Sequence, residues 1–324
     1  MNPTGPGAVL RPLGIGEILD RAVTLCVRNF MTLGLIYVIF VIPLSVIQYY
    51  GSKDTTAFLQ AMTDAVKSGN ANDSSEILRK IGANNTGFNP WTSLLLLVSF
   101  FISPLPIAAL TAAVAAMYLK RPTSFAIAYR VGLSRWGNLL GVILMYLFAG
   151  GFLYTVAIIG IIAVALAVGV LYSAAATAGI IVGVIAAVIA VLIAIVALTL
   201  VALAYQMSCL ACIIERLNFV MAFMSGLRRV FAGIGMRRAL PFGLAYVAIF
   251  VGVDFVQLAG AVLLTGVLHS AAAGVAYGAL ITVITAAFST AFIVIFYYDL
   301  RVREEGLDLQ MLAENAQSQP LPSP

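Results

Sequence analysis

"GIIVGVIAAVIAVLIAIVALTLVALAYQM", Gly179 to Met207, contains no Asp, Glu, Lys or Arg. Roughly 20 apolar residues rising 1.5 Å each cross a hydrocarbon core of about 30 Å, so this stretch reads as a membrane-spanning helix. The whole chain has the same character: 62% of its residues are hydrophobic and only 10% charged, with a mean hydropathy of +1.05. Soluble domains carry about 25% charged residues. The composition excludes an ordinary soluble domain and predicts an integral membrane protein.

Working outward, five more spans are expected, near Phe30 to Tyr50, Trp91 to Tyr118, Gly137 to Tyr172, Leu240 to Leu268, and Gly274 to Tyr298. A chain crossing lipid must satisfy its own backbone hydrogen bonds, and no alternating barrel pattern is visible, so the spans are helices. The third is longer than one crossing requires: either Gly150-Gly151 kinks it or its far end stands out of the membrane. Pro104 and Pro106 can break the second span, and Pro43 can bend the first. The first apolar run is too long for the core of a cleavable signal peptide, so the first span is expected to serve as the insertion signal.

The basic residues orient the molecule. Arg11, Arg21 and Arg28 precede the first span; Lys120, Arg121, Arg130 and Arg135 lie between the second and third. Arg216, Arg228, Arg229, Arg237 and Arg238 lie between the fourth and fifth, and Arg301 and Arg303 follow the sixth. Fourteen of the eighteen Lys and Arg therefore fall on one side. The positive-inside rule makes that side, with both termini, cytoplasmic. The net charge of +5 then reads as attraction to anionic lipid headgroups and requires no nucleic-acid partner. On the other side, residues 51–90 form an extracytoplasmic loop with two short helices. One is marked by Phe58, Met62 and Val66, the other by Asp73 and Glu76 as a capping box ahead of Ile77, Leu78 and Ile81. Residues 1–310 make one membrane domain, and 311–324 a disordered tail.

An internal repeat organises the arginine-rich side. "RPLGIGEILDRAVTLCVRNF" from Arg11, "RPTSFAIAYRVGLSRWGNLL" from Arg121 and "RLNFVMAFMSGLRRVFAGIG" from Arg216 each open on Arg and reach a helix-capping position, Gly14, Ser124 or Asn218. An apolar stripe follows at helical spacing: Ile15, Ile18, Leu19, Ala22, Leu25 and Cys26; Phe125, Ala128, Tyr129, Gly132, Leu133 and Trp136; Phe219, Ala222, Phe223, Gly226, Leu227 and Val230. The expected architecture is all-α, with six transmembrane helices in three hairpins, each preceded by a cytoplasmic interfacial amphipathic helix. Two readings of these helices stand together: a collar that binds or senses lipid, and connectors anchored by Arg at headgroup level.

These same stretches, with "FYYDLRVREEGLDLQML" near the end, resemble a bacterial family of six-span proteins named for the glycerophosphoryl diester phosphodiesterase membrane domain. The resemblance covers nearly the whole chain in order. It implies a multi-pass protein of the bacterial inner membrane. In relatives a similar region precedes a phosphodiesterase barrel of some 250 residues with a metal-binding cluster. This chain has one histidine, His269, and no soluble stretch of that size, so the activity is not expected here.

The resemblance draws attention to charges at the inner ends of the helices: Arg11, Glu17, Asp20 and Arg21; Glu215 and Arg216; Asp299, Arg301, Arg303 and Glu304. They form either a clamp holding the interfacial helices to spans four and six or a site for a ligand or headgroup. A second candidate lies inside the membrane. Asp254 falls in the middle of span five, where an acid costs about 2.5 to 3.5 kcal/mol on the translocon scale, so it is expected to face protein or water. Gln257 shares its face, and Thr282, Thr285 and Ser289 on span six are placed to join a polar cluster. That cluster is either a proton- or ion-coupled site or a set of interhelical hydrogen bonds.

Cys26, Cys209 and Cys212 are too few for a disulfide framework, and C-L-A-C at 209–212 lacks the second ligand pair that zinc requires. No nucleophile and base, metal constellation or phosphate-cradling glycine loop is present in the sequence, so neither catalysis nor a cofactor is expected. The expected function is non-enzymatic: interaction with membrane lipids, or assistance to a membrane-protein partner, through the interfacial helices. The alternative is a small transporter coupled through Asp254.

Overall fold

The computed structural model describes residues 11–46, 97–174, 176–232, 234–268, 270–306 and 309–310. The expected outer-loop helices, the tail and His269 lie outside these residues. The described chain is helical throughout: α1 Ile15–Arg28, α2 Phe30–Val46, α3 Leu97–Tyr118, α4 Phe125–Ala174, α5 Ala176–Ile214, α6 Phe219–Phe231, α7 Ile234–Leu268 and α8 Ala271–Glu305. Five of them are long and apolar enough to cross a membrane, and α1 with α2 makes a sixth if that pair counts as one bent span.

Several helix ends follow from local chemistry. Glu17 reaches back to accept the Gly14 N–H at 3.1 Å, which satisfies a donor that the first turn of α1 leaves free. Asn218 accepts the Met221 N–H at 2.9 Å ahead of α6. α1 turns into α2 through 80° at Asn29, whose side-chain amide donates to the Leu25 carbonyl. Lys120 and Arg216, at φ 55 and 58, end α3 and α5 in the left-handed region and turn the chain toward the next segment. Pro104 and Pro106 do not sever the second span: the interruption is a single residue, Ser103, whose hydroxyl donates to the Phe100 carbonyl at 3.1 Å.

Two expectations change. The repeat at Phe125 is no separate helix but the opening turns of α4, which runs unbroken for 50 residues through Gly150-Gly151. At 1.5 Å per residue that is about 75 Å, more than the ~45 Å of a bilayer with its headgroups even at a 40° tilt, so α4 is longer than a single crossing needs. The repeated stripe also faces protein more than lipid. Its fourth position is Ile18, Ala128 or Ala222, each at most 1% exposed, and its eighth is Ala22, Gly132 or Gly226, all buried. Small residues let helices approach closely. A Cβ on Gly226 would meet the Ser208 hydroxyl at 2.0 Å, and one on Gly132 would meet Ala108 of α3 at 3.3 Å.

α8 is the central element. Every residue from Ala291 to Leu300 is buried, and α1, α3, α5 and α7 pack around it. Phe242 of α7 stacks on Phe296 with centroids 3.7 Å apart and touches Phe292 at 4.6 Å. The core thus lies toward the arginine-rich end of the bundle, whereas Ile181 to Leu198 and Val251 to Leu268 expose large apolar side chains such as Ile193 and Phe255.

Candidate functional site: the arginine-rich end

The charges expected to form one network separate into two clusters, one exposed pair and a pocket. The first cluster joins α5, α6 and α8. Arg229 pairs with Glu215 at 2.6 Å and with Glu305 at 2.7 Å, and Arg301 pairs with Glu305 at 2.7 Å and Glu215 at 3.5 Å. Tyr297 donates its hydroxyl to Glu215, and the Arg229 guanidinium lies 4.6 Å over the Tyr297 ring. The Arg229 side chain is only 8% exposed. Burial works against its charge, and Tyr297 with Glu215 more than offsets that, so Arg229 titrates above its ordinary range. Its Nη1 is a buried side-chain atom with no hydrogen-bond partner among the described residues.

The second cluster fastens the N-terminal segment. Asp299, 2% exposed, accepts the Leu13 N–H at 2.7 Å and the Arg303 Nε at 3.0 Å. Arg303 donates to the Leu13 carbonyl at 3.0 Å, and Arg238 reaches the same carbonyl at 3.3 Å. Both backbone groups of Leu13 are therefore held by side chains of α7 and α8. The exposed pair is Arg11 with Glu17, 2.5 Å apart. The Gly14 N–H holds the Glu17 carboxyl below its ordinary 4.5 against the opposing effect of desolvation, and Arg11 and Arg21 add smaller pulls in the same direction as Gly14.

Arg216 contributes its carbonyl, which accepts from Arg135 at 3.1 Å, and Glu304 lies beside Gly235 at the start of α7. The sequence reading passed over Arg229, Tyr297, Glu305 and Arg238 as members of these clusters. Glu305 carries a local signal, four residues from Arg301 on one helix. The others meet only through packing.

Asp20 and Arg21 belong to the pocket, a cavity of about 1000 Å³ between α1, the start of α2, the end of α3 and the α3–α4 turn. Its walls carry Arg21, Arg28, Lys120 and Arg121 against one carboxylate, Asp20, with Thr24, Asn29, Thr32, Tyr118 and Thr123 as further polar groups. Arg21 also donates to the Tyr118 hydroxyl at 3.4 Å. Among the described residues, Arg28, Lys120 and Arg121 form no ion pair. Guanidinium and ammonium groups lining an open cavity suit a phosphate, which Arg meets with a bidentate fork and Lys as a point charge.

The intramembrane cluster is only partly assembled. Gln257 donates to Thr282 at 3.4 Å, while Ser289 pairs with Tyr246 at 2.7 Å. Thr285 is half-buried. Asp254 does not join them: it is exposed on α7 and makes no side-chain hydrogen bond among the described residues. Positions three apart on a helix differ by about 60° around the axis, and the contact with α8 takes Gln257 and leaves Asp254 outside it. Of the expected alternatives, protein or water, the described residues supply no protein partner for Asp254. A separate cavity of about 170 Å³ lies between α2, α3, α5 and α8, with Tyr37, Thr111, Gln206, Ser289 and Thr290 on its walls. Asp254 does not line it.

Cys209 and Cys212 are buried free thiols packed with Leu139, Val142 and Ala211, and Cys26 is buried in the main core. Among the described residues no three His, Cys, Asp or Glu side chains lie close enough together to hold a metal ion. No protein-family model, curated protein or solved structure matches the chain.

Proposed function

We propose that this chain is a non-enzymatic multi-pass protein of the bacterial cytoplasmic membrane that binds anionic lipid headgroups at its arginine-rich end. In this reading both termini are cytoplasmic, six spans are grouped in three units, and the family resemblance drawn from the repeats holds without the phosphodiesterase activity. One observation carries the reading: Arg21, Arg28, Lys120 and Arg121 line a cavity whose only carboxylate among the described residues is Asp20. Each basic residue near an anionic bilayer surface adds about 1 kcal/mol of attraction. The interfacial helices contribute by holding the walls, since α1 supplies Arg21 and Arg28 while its own apolar stripe is taken up by the core.

The alternative, an ion-coupled transporter working through Asp254, draws less support from the geometry, because among the described residues Asp254 does not line the polar cavity and makes no hydrogen bond to Gln257 or Thr282. Lipid binding is tested by identifying the lipids that remain on the purified protein in native mass spectrometry. Anionic phospholipid is expected in excess over zwitterionic, and the Arg28→Gln, Arg121→Gln double variant is expected to lose that excess. A protein that leaves detergent without any anionic preference would overturn the reading.

A further inference from the structure

We infer that the pocket selects a headgroup carrying at least two negative charges, as a phosphate monoester, a diphosphate or a pair of phosphates, over a singly charged phosphodiester. This rests on the lipid-binding reading above and adds the charge class of the ligand. Among the described residues the lining carries four cations and one carboxylate, which leaves three positive charges. Helix ends modify that balance. α3 finishes at Tyr118 and directs roughly half a unit of negative partial charge toward Lys120. The end of α1 and the start of α2 meet at Asn29, where their opposite partial charges cancel.

Between two and three positive charges therefore remain to be met by the ligand. A phosphodiester supplies one negative charge. A phosphate monoester supplies about 1.5 to 2 near neutral pH, its second ionisation lying near pH 6. The space agrees with the charge, since about 1000 Å³ is at the upper end of small-molecule sites and admits more than one phosphate. The donors are also spread around the cavity: Arg21 and Arg28 come from α1, while Lys120 and Arg121 come from the turn after α3. Two walls of cations meet a ligand whose negative charge is itself extended. The left-handed backbone at Lys120 makes that turn, and so brings two consecutive cations to one wall.

The test presents the full-length protein in detergent with an equimolar mixture of phosphatidylethanolamine, phosphatidylglycerol, phosphatidic acid and cardiolipin, and reads retention by native mass spectrometry at pH 5 and pH 8. Phosphatidic acid and cardiolipin are expected to exceed phosphatidylglycerol about five- to tenfold at pH 8, the effect of roughly one additional charge. Retention of phosphatidic acid is expected to fall at pH 5, as its second charge is lost, while cardiolipin stays level. Arg28→Gln with Arg121→Gln is expected to remove the preference, and Arg130→Gln, exposed on α4 outside the pocket, to keep it. The selectivity and pH profile of the unaltered protein decide the matter even if the double variant does not fold.

Equal retention of phosphatidylglycerol, phosphatidic acid and cardiolipin would overturn the charge-class inference and leave lipid binding standing. Equal retention of all four lipids would overturn both. A parallel titration with inorganic pyrophosphate and glycerol phosphate separates the sources: tight binding of these without lipid selectivity would replace the lipid with a soluble phosphate compound.

Discussion

Arg229 concentrates the energetics of the arginine-rich end in one side chain. A buried pair adds little net stability over an apolar equivalent, but removing one partner strands the other in a poor solvent for charge. Arg229→Ala leaves Glu215 and Glu305 sharing Arg301 as their remaining ion-pair partner among the described residues. The expected cost is about 3–5 kcal/mol, read as a lowered unfolding midpoint in detergent. Two glycines provide a contrast of sign. Gly226→Val drives a branched side chain into Ser208 and the Ala204 carbonyl, with an expected loss of at least about 1–3 kcal/mol. Gly137→Ala, in an exposed turn of α4 with nothing within 4 Å of the new methyl, is expected to gain up to about 1 kcal/mol. The same melting measurement checks both. Asp254 is the reverse of Arg229, an ionisable group with no ion pair or side-chain hydrogen bond among the described residues. Asp254→Leu is expected to leave the unfolding midpoint unchanged and to ease insertion of α7 by about 3 kcal/mol in a translocon-based assay.

At the scale of elements, α1 and α6 share a sequence pattern but are secured differently. α6 is tied by a buried ion cluster and by the close approach at Gly226. α1 is tied through the Leu13 backbone just before it, held by Asp299, Arg303 and Arg238. Asp299→Ala removes the acceptor of the Leu13 N–H and leaves that buried donor unsatisfied, at an expected cost of about 1–3 kcal/mol. Amide exchange at Leu13 is expected to accelerate selectively, since the defect opens the segment ahead of α1 and leaves α8 intact. The cap of α1 also has a pH dependence whose sign follows from Glu17. Its carboxyl is held below 4.5 in the folded state, so its contribution is present above that value and is lost as the pH falls through the folded titration. The second repeat diverges because no residue interrupts the helix between Trp136 and the apolar run that follows, so Phe125 to Trp136 simply extends the span.

At the scale of the whole molecule, the distribution of burial separates two halves. The arginine-rich half is packed around α8 with aromatic stacking and buried ion pairs, while the distant halves of α4, α5 and α7 present apolar side chains outward. Such a surface is ordinary where lipid is the solvent. The topological expectation is tested by single cysteines placed beside Arg130 and Arg229: membrane-impermeant reagents are expected to label them in inverted vesicles and not in intact cells.

The helical class and the location of the apolar spans were legible in the sequence because both depend on quantities summed along the chain: hydrophobicity over about 20 residues and the placement of Arg and Lys. The repeat was legible for the same reason, its stripe being a local period. Only the tertiary structure decided which way that stripe faces, since a helix of Ile, Ala and Gly suits lipid and packed protein equally well. It likewise decided that Arg229 and Glu305 meet Glu215, that Leu13 is held by a residue 286 positions away, and that Asp254 turns outward. The pocket belongs to this second group: Arg28 and Lys120 are far apart in sequence and become neighbours only because α1 folds back 80° from α2 beside the end of α3. Charge and period are properties of the chain, whereas convergence depends on how helices cross, and no local pattern encodes that.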